Sequence, residues 1–512
     1  MKKLFNLFYY IFIIVVLLFA VRGVSGNPSK GDMNSSYWKE DGPFELSPER
    51  GRFALTFSII EDKSLSFSLP VAQFTLPDLG FHMGKFVSLF APGVSFVAIP
   101  GYLIGKNFGV SQLGTFMIIC LFAFLNALLI SKISTKLGAN DLQAKIASLI
   151  FLFATPAFSY ATTLYQHHIT TFLILVGILS QLTLSPFLNL LVIWLLYGIG
   201  ISIDYPNALL MAPSVFIAIS NIIYKINSEE RYGISIDLKK ILTVFIILIP
   251  LSLFFWYNKL TYGSPFQLAG TVKNVYKIEN DTPIFREDLK DDQIFRLELP
   301  ESDKSALAFF ETRNLIRGLY IHFLSPDRGI LLFTPVLFLG IGGIFFYPKK
   351  ERKEYTLLLS LIGVNLIIYS LWGDPWGGWA FGSRYLIPSY AIILIFVPFL
   401  LSKYRNWMFT IFFIAVMTYS ISVNSLGALT SISNPPKEEA IQLELITNRT
   451  EKYTFMRNFD LVIEGKLKSY IYQTYFKDRL EAKKYYFLLD LSLVSFLSLL
   501  VLYSQKYENK LK

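Results

Sequence analysis

Phe86-Val-Ser-Leu-Phe-Ala-Pro-Gly-Val-Ser-Phe-Val-Ala-Ile-Pro-Gly-Tyr-Leu-Ile-Gly105 is apolar throughout and broken twice, at Ala91-Pro92-Gly93 and at Pro100-Gly101. Its length suits a helix crossing a hydrocarbon core of roughly 30 Å, whereas its breaks suit a surface or re-entrant segment. The basic residues of the short loops decide between the two. If the stretch spans, the loop carrying Lys132, Lys136 and Lys145 falls outside, and so does the loop carrying Lys225, Arg231, Lys239 and Lys240. If it does not span, both loops fall inside, with Lys349/Lys350/Arg352/Lys353, Lys403/Arg405 and the lysine-rich tail. Lysine and arginine concentrate in cytoplasmic loops, so the stretch is read as non-spanning.

The spans that follow lie near 4–21, 112–131, 146–162, 169–186, 187–203, 206–223, 241–257, 329–347, 356–371, 386–402, 407–424 and 486–504. This is an all-α polytopic membrane protein of about 12 transmembrane helices, with an amphipathic or re-entrant first outer loop. Both termini are cytoplasmic, and a plasma (inner) membrane location is expected. The run 4–21 is read as a retained first helix; a cleaved signal peptide, with Val24-Ser25-Gly26 as its cleavage site, is the alternative, but the run is long for that role. Residues 1–424 form one transmembrane region, with a first outer loop at 22–111 and a long outer loop at 258–328. Residues 425–512 add an outer loop and a last helix of unassigned function.

Composition agrees. Of 512 residues, 53% are hydrophobic, and much of the net charge of +10 sits in the short inner loops, where it sets orientation rather than binding nucleic acid. The single cysteine, Cys120, excludes an internal disulfide and a cysteine metal cluster. No Walker loop or dinucleotide fingerprint is present, and no inner loop is long enough for a nucleotide-binding domain.

The remaining motifs gather on the outer side. Trp372-Gly-Asp-Pro-Trp-Gly-Gly-Trp-Ala-Phe-Gly-Ser-Arg-Tyr385 joins two apolar runs. Tryptophans at a membrane edge form interfacial belts; four glycines and the Asp374/Arg384 pair are what a belt does not require. Ser47-Pro48-Glu49 reads as a helix start with Ser47 as cap, and Phe53, Phe57 and Ile60 follow on one face, as in a helix lying along the membrane. Glu49 there is either a first-turn acid favoured by the helix dipole or a proton acceptor or cation ligand. His167 marks a helix end or donates to a phosphate or sugar. Asp204 stands between two spans, where ionisable groups face cavities or partners. Asp327 and Arg328 precede a span as a salt-bridged entrance or as site groups.

In order and sidedness these pieces resemble the GT-C integral-membrane glycosyltransferases, in particular the branch similar to protein O-mannosyltransferases and the aminoarabinose transferase. The resemblance rests on Ser47-Pro-Glu-Arg-Gly-Arg-Phe-Ala-Leu, Lys85-Phe-Val-Ser-Leu-Phe-Ala-Pro-Gly-Val-Ser, Thr155-Pro-Ala-Phe-Ser-Tyr-Ala with His167, Tyr262-Gly-Ser-Pro-Phe, Ser325-Pro-Asp-Arg-Gly-Ile-Leu and Trp376-Gly-Gly-Trp-Ala-Phe-Gly-Ser-Arg-Tyr. It implies transfer of a sugar from a polyprenyl-phosphate donor to an extracytoplasmic glycan, lipid or protein, with inversion at the anomeric carbon. It places the catalytic carboxylate at Glu49, where the family usually has an Asp followed by an acid and this chain has Arg50. A divalent cation, Mg or Mn, is therefore left open. Arg384 suits the donor phosphate, with Lys85 and Arg328 in reserve. Trp376, Trp379, His167 and Tyr385 suit sugar or lipid contact, and Asp204 and Asp327 a further acid, base or metal role. A flippase or transporter of lipid-linked sugars, or an inactive scaffold of the same fold, is the rival reading.

Overall fold

The structure, a computed structural model, describes residues 2–228, 231–285, 315–348 and 352–509. Most of the expected long outer loop, residues 286–314, lies outside them, as do Lys349 and Lys350. The described chain is mostly helical, and it is a multi-pass membrane protein. Among the described residues, five helices are long and apolar enough to cross a bilayer: Ser111–Lys136, Pro186–Ile203, Leu238–Tyr262, Trp407–Leu429 and Ala482–Lys506. Arg384–Leu394 and Val397–Lys403, bent by 42°, make a sixth if taken as one span. Leu4–Ala20, His167–Thr183 and Leu337–Phe346 are shorter apolar helices. Leu248, Leu253, Trp256 and Leu260 stay exposed along one such helix, as a hydrocarbon-facing surface requires.

The helices run between two ends. At one, Lys145 reaches Asn6 at 2.7 Å, Ser402 reaches Gln143 at 2.6 Å and Gln505 reaches the Leu401 carbonyl. At the other, the end of the first helix meets the starts and ends of several more: Arg22 reaches the Gly427 carbonyl, and Tyr470 N–H bonds to the Val21 carbonyl.

The deciding stretch runs across this second end. Lys85–Ser88 is a strand, and Gly93–Asn107 is a helix. Fifteen residues rise about 22 Å, short of a bilayer core. Both helix ends lie at the same end of the bundle, the first against Ser202 and the last against Asn27 and Val110. Gly101 and Gly114 permit this crossing. A Cβ on Gly101 would stand 2.2 Å from the Gly114 carbonyl oxygen, and one on Gly114 would stand 2.0 Å from that of Gly101. Gly114→Val is therefore expected to destabilise by about 1–3 kcal/mol, measured by thermal unfolding in detergent. Gly363→Ala, a helical position with open space around it, should be neutral or stabilising by up to ~1 kcal/mol.

The all-α expectation needs correction. Leu79–His82 (β1) and Lys85–Ser88 (β2) form a hairpin, Ile223–Ser228 (β3) and Arg231–Ile236 (β4) a second, and Lys273–Glu279 (β5) and Thr282–Phe285 (β6) a third. The first and third join in an antiparallel sheet of order β2-β1-β5-β6, with Leu79 opposite both Ser88 and Val275. Met83-Gly84 and Asn280-Asp281 hold both turn residues at positive φ, the backbone that two-residue hairpins demand. This sheet ties the first loop to the segment after Tyr262.

The helix Ser47–Phe57 also departs from expectation. It does not lie on the membrane surface. Glu49, Arg52, Phe53, Ala54, Leu55, Thr56 and Phe57 are all buried, on every side of the helix. Ser47 is not its cap: its hydroxyl donates instead to Asp78, at 2.5 Å.

Candidate active site

The tryptophan loop folds on its glycines. Asp374 accepts hydrogen bonds from the amides of Gly377 and Gly378, and Gly377, Gly378 and Gly382 sit at φ 73°, 61° and 61°. Those backbones disfavour side chains, and a Cβ on Gly377 would meet Arg384 Nε at 3.0 Å. Arg328 braces the loop from within. It donates to the carbonyls of Trp376 (3.0 Å), Gly378 (2.8 Å), Asn434 (2.9 Å) and Asp327 (2.7 Å), and it is fully buried. Four of its five N–H groups are thereby spent on backbone carbonyls rather than free for a phosphate. Asp327 accepts from the Lys437 amide at 3.0 Å and lines no described cavity of the site. Lys85 is exposed at the start of β2 and lines no described cavity of the site.

Arg384 is different. It is 8% exposed, yet its Nε and Nη1 have no hydrogen-bond acceptor among the described residues. Its guanidinium lies over the rings of Tyr165 (4.9 Å) and Tyr385 (5.5 Å). Tyr385 is stacked on Tyr369 at 4.3 Å, and Tyr165 on His167 at 5.7 Å, so the aromatic platform is rigid. A second guanidinium, that of Arg52, lies 5.2 Å from the same Tyr165 ring and 4.9 Å from Phe90. Arg52 donates to Gln166 (2.7 Å), whose amide donates to Asp204 (3.0 Å). Burial raises the Asp204 carboxyl, with Arg52 and Gln166 pulling it back.

Two cavities meet here. One, of about 430 Å³, is mainly apolar, walled by Leu89, Ala91, Tyr205, Pro206, Leu209, Leu268 and Trp372, with Arg52 and Asp204 on its rim. The other, of about 610 Å³, is the more polar of the two, walled by Glu45, Arg50, Asp78, Asp374, Trp376, Trp379 and Glu439. Arg384, Tyr385, Tyr165, Pro48 and Phe90 line both. A guanidinium with unsatisfied donors thus stands where an apolar chamber opens into a polar one.

The carboxylates fall into distinct states. Glu45 is paired with Arg22 at 2.9 Å and Lys468 at 2.8 Å and accepts from the Ile432 amide. Burial alone would raise its carboxyl, but Lys468 and Arg22 hold it down at about 2. Glu49, four residues on, is completely buried, and its Oε1 has no partner. Burial pushes it up to about 7, Arg22 opposing and Glu45 adding to the rise. Glu49 itself lines neither cavity; its neighbours Pro48 and Arg50 line the polar one, so it stands just behind the wall. Among the described residues no group of three or more His, Cys, Asp or Glu side chains is placed to hold a metal ion.

No family model matches the chain, and no curated protein matches it. The crystal structure of ArnT from Cupriavidus metallidurans bound to undecaprenyl phosphate matches over 98% of this chain and 78% of that one, at 11% identity and a TM-score of 0.45. The chain is similar to ArnT in fold.

The structure thus brings together Arg384, Tyr385, Trp376, Trp379 and Asp204, sets His167 behind Tyr165, and leaves Lys85, Arg328 and Asp327 outside. Arg52 and Tyr165 were not singled out from sequence as donor-site residues. Arg52 falls three residues after Glu49, close to one helical turn, a spacing that keeps the two side chains on neighbouring faces and that could have drawn attention to it.

Proposed function

We propose that the protein is a membrane glycosyltransferase that moves a sugar from a polyprenyl-phosphate donor to an acceptor hydroxyl on the non-cytoplasmic side, with inversion at the anomeric carbon. The observation that carries this is the buried, unsatisfied guanidinium of Arg384 at the junction of an apolar and a polar cavity. An amphiphile with a prenyl tail, a phosphate and a sugar has that sequence of chemistries. The tail occupies the apolar chamber. The phosphate sits between Arg384 and Arg52, since guanidinium presents a permanent charge and a planar two-pronged donor face. The sugar points into the polar chamber. Sidedness is supported by Lys145, Lys353 and Lys403, which lie at the far end of the bundle from Arg384.

The acceptor oxygen bonds to the anomeric carbon as the bond from that carbon to the phosphate oxygen breaks. The phosphate leaves with the electron pair, and the two guanidiniums stabilise its growing charge. The acceptor's proton passes to Glu49. A carboxyl near neutrality suits a general base working at neutral pH, and contacts to a catalytic base often tighten only when substrate is bound.

This gives a pH signature. Glu49 must be ionised to accept a proton, so release of polyprenyl phosphate rises as pH climbs through about 7. Its effect on stability runs the other way. A carboxyl raised by folding favours the folded state below its ordinary value, and that contribution is lost as pH rises through about 7. Glu49→Gln should remove the inflection and lower the rate by roughly 10²–10⁴-fold while leaving the fold intact. A wild-type rate flat from about pH 6 to about pH 8 would remove Glu49 from the proton transfer.

A further inference from the structure

The Arg384 guanidinium is held by the ring faces and hydroxyls of Tyr165 and Tyr385. Ring faces fix the direction of a planar fork poorly, so the aim of Arg384 falls to its backbone. That backbone is tightly turned. Gly382 stands at φ 61°, Ser383 follows at φ −80° and ψ 78°, and the Arg384 amide bonds to the Gly382 carbonyl at 3.0 Å. This is an inverse γ-turn with Ser383 at its centre. A short 3₁₀ turn, Arg384–Leu386, then leads into the helix Ile387–Leu394.

Buried side chains grip this turn on both sides of Arg384. On one side, His322 Nδ1 and Ser383 Oγ share a hydrogen bond of 2.9 Å, and Tyr390 Oη donates to the Ser383 carbonyl at 3.0 Å. On the other, Asn365 Nδ2 donates to the Tyr385 carbonyl at 3.2 Å, and Ser389 Oγ donates to Asn365 Oδ1 at 2.6 Å. Tyr390 and Ser389 belong to the helix that the turn leads into, and Asn365 to the preceding helix Arg352–Ser370. His322 comes from further away, on the helix Leu315–Phe323, 61 residues before Ser383. That helix meets the end of Arg352–Ser370 with no side chain between them: a Cβ on Gly318 would stand 2.0 Å from the Ser370 carbonyl oxygen. His322 is 0% exposed and lines neither cavity. Burial pushes its imidazole down to about 4, the Tyr369 carbonyl opposing, so the ring is neutral at neutral pH and sets no second charge beside Arg384. A buried polar ring is costly without hydrogen bonds, and the side chain that it meets is that of Ser383.

We infer that His322 is a positioning residue: through Ser383 it holds the turn that aims the Arg384 guanidinium at the junction of the two cavities. The inference rests on the reading of Arg384 as the ligand of the donor phosphate. Misplacing a binding group by about 1 Å can cost about 10²-fold, and a preorganised charge acts only from the position in which it is held.

The test is the affinity of the purified full-length protein for undecaprenyl phosphate in detergent, titrated by calorimetry, with unfolding midpoints from the same preparations. His322→Leu should weaken binding by about 10- to 100-fold. Ser383→Ala removes the same hydrogen bond from its other partner, should weaken binding alike, and carries the test if His322→Leu does not fold. His322→Asn, whose amide reaches the position of Nδ1, should bind more tightly than His322→Leu. In an Arg384→Ala protein neither His322→Leu nor Ser383→Ala should weaken binding further, because a residue that acts through Arg384 then has nothing to act on. Gly114→Val, destabilised at a helix crossing outside the site, should bind as tightly as the wild type. Wild-type affinity in His322→Leu or Ser383→Ala overturns the positioning role and leaves the donor reading standing. So does an equal loss with and without Arg384, or a loss in Gly114→Val as large as that in His322→Leu. Wild-type affinity in Arg384→Ala overturns the donor reading itself.

Discussion

Arg384→Ala is expected to lower polyprenyl-phosphate release by roughly a hundredfold to a thousandfold, the loss seen when a preorganised charge-stabilising donor is removed, with no fall in thermal stability. The two halves of this prediction come from one observation. A guanidinium whose Nε and Nη1 find no acceptor among the described residues contributes little to holding the fold. Burying a cation away from water costs free energy, and here the rings and hydroxyls of Tyr165 and Tyr385 return part of it. Removing it relieves that cost and removes the ligand for the leaving phosphate. Arg384→Lys keeps the charge and loses the planar fork, so it should recover only a small part of the rate. The measurements are initial rates of lipid-phosphate release and unfolding midpoints in detergent. An Arg384→Ala protein that retains wild-type rates would mean that the phosphate binds elsewhere.

Arg328→Met is expected to do the opposite, destabilising by about 3–5 kcal/mol and losing activity only as a consequence. Arg328 is buried and donates four of its five N–H groups to carbonyls drawn from the tryptophan loop, Asn434 and its own turn. A buried carbonyl left without a donor costs about 1–3 kcal/mol, and methionine fills similar space without supplying one. The tryptophan loop and the carboxy-terminal segment would separate together, since Asn434 is shared between them. Thermal unfolding in detergent measures this directly, and limited proteolysis around residues 430–447 reports it locally. A stable Arg328→Met protein with a specific loss of donor affinity would return Arg328 to the list of phosphate ligands.

What could be read from the sequence, and what could not, follows from the range of the interactions involved. The stretch 86–105 was legible because lysines and arginines in distant short loops all bear on one question, its sidedness. The glycines of the tryptophan loop announced a shaped backbone, and Arg384 stood out as its cation. The sheet was not legible. Its strands are four to seven residues long, too short for alternation to speak, and Met83-Gly84 is a weak turn signal on its own. Arg328 and Arg384 look alike in sequence. Only carbonyls 48, 50 and 106 residues away distinguish the brace from the ligand. The cluster of Arg22, Glu45 and Lys468 was hidden for the same reason, because its members come from opposite ends of the chain. Burial of Ser47–Phe57 on all sides also escaped notice, since its phenylalanines fit a membrane surface as well as a protein interior.

The central claim is that a sugar-bearing polyprenyl phosphate is cleaved where the two cavities meet. The most direct measurement is release of free polyprenyl phosphate by the purified protein from a panel of polyprenyl-phosphate sugars, with an envelope acceptor fraction and with or without divalent cations. The account predicts release from at least one donor by the wild type, and near-complete loss of it in Arg384→Ala at unchanged stability. No release from any donor by a folded wild-type protein would contradict it and turn attention to movement of lipid-linked sugars across the membrane.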